Sequence, residues 1–401
     1  MNAKSDRPGM VVVVNSSVAV RFLQGQLEYS QKRGFDVTLL CPERRNGEWK
    51  VAEPAGVRVL EVAMARSIAP LQDLVSLWRV SCAMRTLRPA VTNVGTPKAG
   101  LLGGFAAWLN HVPCRFYTLH GLRFETTKGL KRRLLIYMER LACRFAHRVV
   151  CVSHSVREKA ITSRLTRRDR LIVLGYGSCN GVDASRFAPN PKLMARAAAL
   201  RRQLGIPERA AVILFVGRLT RDKGIPELVE AFARLDEQFL NLRLLLVGCF
   251  EVEDPLPPET RRQLEKQPHI IFVGAVQDTP SYYAAADIVV LPSHREGLPT
   301  VILEAQAAGK PVVGANATGI VDLVTDGETG LLFPVGDATA LSKTIARLLT
   351  DEDLVRKLEV SGQERVRRDF QQERIWEAQY RAYLQVLLEK APPLHLSPSE
   401  S

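Results

Sequence analysis

The chain has 401 residues, with 55 Lys and Arg against 42 Asp and Glu, a formal net charge of +13. With 46% hydrophobic and 24% charged residues it can bury real cores, which excludes a disordered chain, and its length predicts two domains. The charge is split unevenly: residues 1–190 carry 30 basic and 13 acidic side chains, a net of +17, and residues 191–401 carry 25 and 29, a net of −4. So basic an N-terminal half predicts an anionic partner, whether nucleic acid, a membrane surface or a phosphorylated acceptor. The seven cysteines are odd in number and include no Cys-x-x-Cys pair, which argues against a disulfide framework and a zinc site and fits a reducing cytoplasm. The segment MNAKSDRPGMVVVVNSS lacks the apolar run of a signal peptide, and the longest apolar stretch, Ala99 to Leu109, is too short to span a bilayer.

Short β-branched runs alternate with helical patterns along the whole chain. Strands are predicted at Met10–Val14, Asp36–Leu40, Val57–Val62, Val91–Val94, Arg115–Leu119 and Val149–Val152, with helices at Val18–Arg33, Leu71–Leu87, Ala99–Leu109 and Gly129–Ala146 between them. A polar stretch, Asn180–Pro191, interrupts the pattern, and a helix is predicted at Lys192–Leu204. Strands then recur at Ala211–Val216, Leu242–Val247, Ile270–Val273, Ile288–Leu291 and Pro311–Gly314, with helices at Pro226–Leu235, Glu259–Glu265, Pro299–Ala308 and Thr339–Leu349. Nearly continuous apolar strands alternating with helices imply parallel sheets covered on both faces, and two such runs imply two doubly wound α/β domains. The expected boundaries are 1–185 and 186–370, then a helix over 371–390 packing back toward the N-domain and a Pro/Ser-rich disordered tail over 391–401.

The common nucleotide fingerprints are missing: there is no GxxxxGK[ST], and the first strand runs into NSSVAV rather than GxGxxG. The informative stretch is FVGRLTRDKGIPELVEAF, where a strand ends at Gly217 and Arg218 and Lys223 flank a short loop before a helix. Two cations there, beside backbone N–H groups, make a diphosphate clamp, although alone they fit solvated charges at a helix start better. A second stretch, SHREGLPTVILEAQAAGKPVVGAN, carries Glu296 before a helix and Glu304 seven intervening residues on, about 12 Å at helical rise. That separation suits the two polar ends of one extended ligand. Gly297 would let backbone approach phosphates between them.

The combination Arg-x4-Lys-Gly followed by Glu-x7-Glu resembles the retaining glycosyltransferases of family four, whose GT-B architecture sets two Rossmann-like domains facing across a cleft. TGIVDLVTDGETGLLFPVGD is similar to the family's Gly-Gly-Ile-x-Glu segment, with Thr318 for one glycine and Asp322 for the Glu, which weakens the expected contact to the donor sugar. Asn180, Gly181, Val182 and Asp183 match its interdomain Asn-Gly-[Ile/Val]-Asp, while Ser16 and Ser17 stand where many members have a glycine pair. TPKAGLLG, LHGLRFETTKGLKRRLL and LGYGSCNGVD look like a bacterial subgroup that builds capsule, exopolysaccharide and O-antigen on undecaprenyl-diphosphate-linked sugars. The resemblance covers residues 10 to about 385.

It implies a role for each matched residue. Gly217, Arg218 and Lys223 would hold and neutralise the diphosphate, Glu304 the ribose hydroxyls, and Glu296 with Gly297, Leu298 and Pro299 the donor sugar. His120 would lie near the reacting carbon, and Lys98 and Arg123 are candidates for the acceptor diphosphate. The reaction implied is retaining and metal-independent. The donor would be a nucleotide sugar, by family habit UDP-linked and with an N-acetylhexosamine as one candidate sugar, and no other cofactor is implied. Residues Arg115–Arg170 hold 15 basic and 4 acidic side chains, and Gly129–Phe145 reads as an amphipathic helix with its stripe mostly in the core and its cations toward anionic lipid. The expected location is therefore the cytoplasmic face of the bacterial plasma membrane. A nucleotide-sugar epimerase of the same architecture and a non-enzymatic nucleic-acid-binding protein are the alternatives. Low aromatic content and the lack of recognised nucleic-acid motifs disfavour the latter.

Overall fold

The structure is a computed structural model that describes residues 7–390 apart from 17, 18, 21, 43–55, 65–68, 179, 252 and 253. Ser17 and the tail over 391–401 lie outside the described residues. Two all-parallel sheets form the framework. The first contains β1 (Gly9–Val13), β2 (Asp36–Cys41), β3 (Arg58–Glu61), β4 (Val91–Gly95), β5 (Cys114–Leu119), β6 (Arg148–Cys151) and β7 (Leu171–Ile172), in spatial order 3-2-1-4-5-6-7. The second contains β8 (Ala211–Val216), β9 (Leu242–Val247), β10 (Ile270–Gly274), β11 (Ile288–Leu291), β12 (Val312–Ala315) and β13 (Leu331–Phe333), in order 10-9-8-11-12-13. Both sheets follow one winding: out to one edge, then back across the first strand and out to the other. The reversal leaves a crevice beyond the carboxyl ends of β1 and β4 in one domain and of β8 and β11 in the other. This is the GT-B arrangement of two Rossmann-like domains.

The strands are apolar because helices cover both faces; Val13, Val37, Leu214, Leu245 and Val290 are wholly buried. The chain crosses between the domains twice, side by side. The Val182 N–H donates to the Phe370 carbonyl at 2.9 Å, and Val182 bridges Gln371 in parallel. After the second crossing the helix Gln372–Lys390 lies on the N-domain. Its Tyr383 ring meets Phe116 edge-on at 4.9 Å, and the Asn93 amide donates to the Tyr383 hydroxyl at 2.8 Å. Asn180 joins the first crossing to this helix: its amide donates to the Gln24 carbonyl and its oxygen accepts from the Trp376 indole at 2.7 Å.

The structure departs from the sequence expectation in a few places. The helix expected at Val18–Arg33 is interrupted: residues 19 and 20 are helical, residues 22–25 form turns, and a helix follows at Gln26–Lys32. β7 and β13 span two and three residues, too few to show periodicity. The Glu352–Asp369 helix is so highly charged that its buried stripe of Leu354, Leu358 and Val366 is hard to see in sequence.

Candidate active site

The Arg218–Lys223 loop follows β8, and Glu296 follows the adjacent β11, so the topological reversal itself brings the two sequence-predicted stretches together. Lys223 Nζ is ion-paired to Glu296 Oε1, with both side chains largely buried, and Arg218, half exposed, is ion-paired to Glu251. Further bonds strap the two loops. The His294 N–H donates to the Asp222 carbonyl at 2.9 Å, Arg295 pairs with Asp222 at 2.6 Å, and His294 Nε2 meets Glu227 Oε1 at 2.8 Å. The hydrogen bond to Glu227 raises the His294 pKa above its ordinary value. At Glu227 burial pushes upward, but the His294 bond, a backbone bond and the charges of His294 and Arg221 together outweigh it, and the net shift is down.

Glu304 lies on the Thr300–Ala307 helix and accepts from the Tyr283 hydroxyl at 2.7 Å. Burial pushes its pKa up to about 7, and the Tyr283 bond pulls in the opposite direction. The helix begins at Thr300, so Glu296 sits in the preceding loop, and the expectation that a helical rise separates the two carboxylates is corrected. Gly297, Leu298 and Pro299 form that loop, with Pro299 as the helix N-cap. Gly297 is required by contact: a Cβ there would collide with the His120 carbonyl of the opposite domain. The sequence motif thus marks a place where two domains meet through backbone.

On the N-domain side His120 follows β5 at the carboxyl edge. Burial lowers its pKa to about 4, so the imidazole is neutral at physiological pH. It lines a small cavity with Gly95, Thr118 and Ser178. Lys98, in the first turn of the Pro97–Leu109 helix, pairs with Asp73 at 2.5 Å, and Arg123 opens a short 3-10 turn with its side chain exposed. The apolar stripe of the Gly129–Phe145 helix leaves the core only at its start, and Leu135 packs against the core. Ala142 and Cys143 are buried, but Leu130 is 80% exposed and Leu134 51%. Its single acid, Glu139, is buried and accepts from the Tyr117 hydroxyl at 2.8 Å.

Contacts across the cleft are few and specific. Thr318 Oγ1 donates to Glu125 at 2.9 Å and Arg295 Nε to Thr126 Oγ1 at 2.9 Å. Asp322, which stands where the family has a Glu, accepts from the Ser155 N–H at 3.0 Å. Sequence reasoning missed Tyr283, Glu251, Glu227 and Ser155, because each serves as the partner of a motif residue and carries no motif of its own. Among the described residues no cluster of His, Cys, Asp and Glu has the makings of a metal site, and no helix is long and apolar enough to cross a membrane.

Comparison with known proteins agrees with this geometry. Residues 197–365 match the model for glycosyl transferases group 1, and residues 19–177 match that for a glycosyl transferase 4-like domain. A capsular polysaccharide biosynthesis glycosyltransferase, CapM of Staphylococcus aureus, is 35% identical over 91% of this chain and 94% of that protein. An Escherichia coli UDP-Gal:α-D-GlcNAc-diphosphoundecaprenol α-1,3-galactosyltransferase is 28% identical over 82% of this chain and 84% of its own length. Anabaena HepE, crystallised with UDP-glucose, superposes with a TM-score of 0.78 at 22% identity, over 94% of this chain and 99% of that one. With both halves matched in order and a relative at this identity over nearly the full length, the chain belongs to the group 1, family-four-like glycosyltransferases and has their GT-B fold.

Proposed function

We propose that this glycosyltransferase moves a sugar, with retention, from a UDP-linked donor to a sugar carried on undecaprenyl diphosphate during surface-polysaccharide synthesis. One observation carries the reading: Arg218 and Lys223 after β8 stand beside Glu296 after β11, at the point where the sheet order reverses. As the glycosidic bond to the diphosphate breaks, negative charge grows on the leaving oxygen and positive character on the anomeric carbon. Arg218 and Lys223 neutralise the former, which is the main lever on the barrier. Lys223 exchanges Glu296 for phosphate, and Glu296 is then released to accept from hydroxyls of the donor sugar. Glu304, ionised and with Tyr283 still donating, accepts from the ribose. Neutral His120 can hydrogen-bond the sugar without adding positive charge beside the oxocarbenium-like carbon. The acceptor hydroxyl attacks from the leaving-group face, so no protein nucleophile is needed, and the two cations do the work that a divalent ion does in metal-dependent transferases. The relative that acts on a diphosphoundecaprenol-linked GlcNAc supports the acceptor class. The N-domain then serves the acceptor, with Lys98 and Arg123 toward its diphosphate.

The lipid side rests on the outer helices. Helix Pro70–Leu87 exposes Leu71, Leu74, Val75 and Trp78, one stripe at helical spacing, and Gly129–Phe145 exposes Leu130, Leu134 and Tyr137 among Lys131, Arg132 and Arg133. The exposed faces of both helices lack acids, as a surface seated on the anionic inner face of a plasma membrane would. Duplex DNA binding with a steep salt dependence would favour a nucleic-acid partner instead.

The test is a panel of nucleotide sugars screened for protection against thermal unfolding, then transfer from the best binder to an undecaprenyl-diphosphate sugar in vesicles. Protection by a UDP-sugar with label passing into the lipid fraction is expected. Conversion of the UDP-sugar with no acceptor present would point to an epimerase.

A further inference from the structure

Three backbone segments stack where the domains meet. Gly297 has its Cα against the His120 carbonyl on one side. On the other packs Gly319, at φ +82°, where a Cβ would lie 2.5 Å from the Gly297 oxygen. The same loop binds the Glu296 N–H, which donates to the Thr318 carbonyl at 3.0 Å. Glu296 is thus held between the Thr318–Gly319 loop of its own domain and the His120–Gly121 turn of the other.

Besides the Thr318–Glu125 bond, one serine of the N-domain fastens the loop. Helix His154–Thr162 follows β6, and its N-cap Ser153 accepts from the Val156 N–H. Asp322 reaches across from the C-domain to this helix end: the Ser155 N–H donates to Asp322 Oδ1 at 3.0 Å, and the Ser155 hydroxyl donates to Oδ2. The Gly319 N–H in turn donates to Ser155 Oγ at 2.7 Å. From behind, the Arg365 guanidinium donates to the carbonyls of Asp322 at 2.7 Å and Leu323 at 2.9 Å, which fixes the loop that carries the carboxylate. A carboxylate at a helix N-terminus with two charge-assisted bonds is among the stronger polar contacts available to a partly buried interface. A ring results: Glu296 to Thr318–Gly319, to Ser155, through the N-domain to His120, and back to Gly297.

We infer that Ser155 and Asp322 are positioning residues that register Glu296 against His120 as the domains close, so that the donor-sugar site is completed only in the closed molecule. The assignment rests on the proposed role of Glu296 toward the donor sugar. Neither residue belongs to the Arg218–Lys223 clamp, so nucleotide binding and transfer should separate.

The experiment compares Ser155→Ala, Asp322→Asn, their double variant and Ser155→Thr with the wild type. UDP affinity is measured by calorimetry, transfer by steady-state kinetics, and domain closure by X-ray scattering with UDP-sugar bound. Each single truncation should lower kcat about tenfold or more, with UDP affinity kept within about threefold, because a bond of this class shifts a two-state closure by about that factor. The double variant should be no worse than the poorer single one, Ser155→Thr should recover most of the rate, and the truncated proteins should have a larger radius of gyration than the wild type. Rates within twofold of wild type, or UDP affinity falling in step with kcat without rescue by threonine, would overturn the assignment. The scattering arm needs no turnover. An unchanged radius in both truncations removes the latch even if transfer works, whereas a wild type that transfers to no lipid-linked sugar defeats the proposed function and leaves the latch to be judged by scattering.

Discussion

Beyond the carboxyl ends of β8 and β11 Lys223 pairs with Glu296, Arg218 with Glu251, His294 with Glu227 and Arg295 with Asp222. On the outer helices of the N-domain, Lys128, Lys131, Arg133 and Arg144 have no acidic partner among the described residues. Net charges of −4 and +17 for the two halves are therefore more than a compositional accident. The C-terminal half holds these cations in place with internal carboxylates; in the proposed function a diphosphate replaces them, which would preorganise the cations and limit their attraction to stray anions. The outer helix of the other half leaves these cations unneutralised, as a surface must if its counter-charge is to come from outside.

Substitutions at four places test this contrast. The largest effect is expected from Lys223→Ala, which removes the cation and keeps the fold. Turnover of labelled donor should fall about a hundredfold or more, by analogy with loss of one preorganised oxyanion donor. A loss of less than about tenfold would mean that the pair with Glu296 is structural.

Next is Glu304. Its carboxyl has a folded pKa of about 7, above its ordinary value, so its contribution to stability is full below pH 4.5 and is lost as pH rises through about 7. Ribose binding needs the ionised form and runs the other way. UDP affinity measured by calorimetry should improve about tenfold between pH 6 and pH 8, and Glu304→Gln should abolish that dependence. A wild-type profile as flat as that of Glu304→Gln would remove Glu304 from the ribose site.

On the lipid side, Lys131→Gln and Arg133→Gln should each weaken binding to anionic vesicles about fivefold, in keeping with about 1 kcal/mol per cation. Trp78→Ala should weaken it at high salt as well, where charge is screened. Binding indifferent to salt and to lipid charge would leave the basic surface unexplained. The smallest effect is expected at His294. The folded pKa is raised, so the bond with Glu227 stabilises fully below pH 6.5 and is lost as pH rises through the folded value. His294→Ala should lower Tm by about 2 °C at pH 6 and by less at pH 8; an equal loss at both would show that packing alone is at stake.

Most of the framework could be read in the sequence, because buried parallel strands such as Ala211–Val216 and Leu242–Val247 are unbroken apolar runs whose ends coincide with the observed ones. What escaped was short or two-sided: β7, β13 and the highly charged Glu352–Asp369 helix. At the site, Arg218, Lys223, Glu296 and Glu304 stood out because each lies at a strand-to-helix junction or on the helix that follows. Their partners did not, since Tyr283, Glu251 and Ser155 are defined by what lies opposite them in space. Asp322 shows the limit most clearly: the motif marked it only as a departure that weakens a sugar contact, and its carboxylate is bound at a helix end of the other domain.

Retaining transfer from a nucleotide sugar to a lipid-diphosphate-linked sugar is tested most directly by incubating the protein in EDTA with labelled UDP-sugar and an undecaprenyl-diphosphate sugar, extracting the lipid, and determining the anomeric configuration of the new linkage by NMR. Label is expected in the lipid fraction, joined through an α linkage when the donor is α. An inverted linkage, or label released only as free sugar, would contradict it.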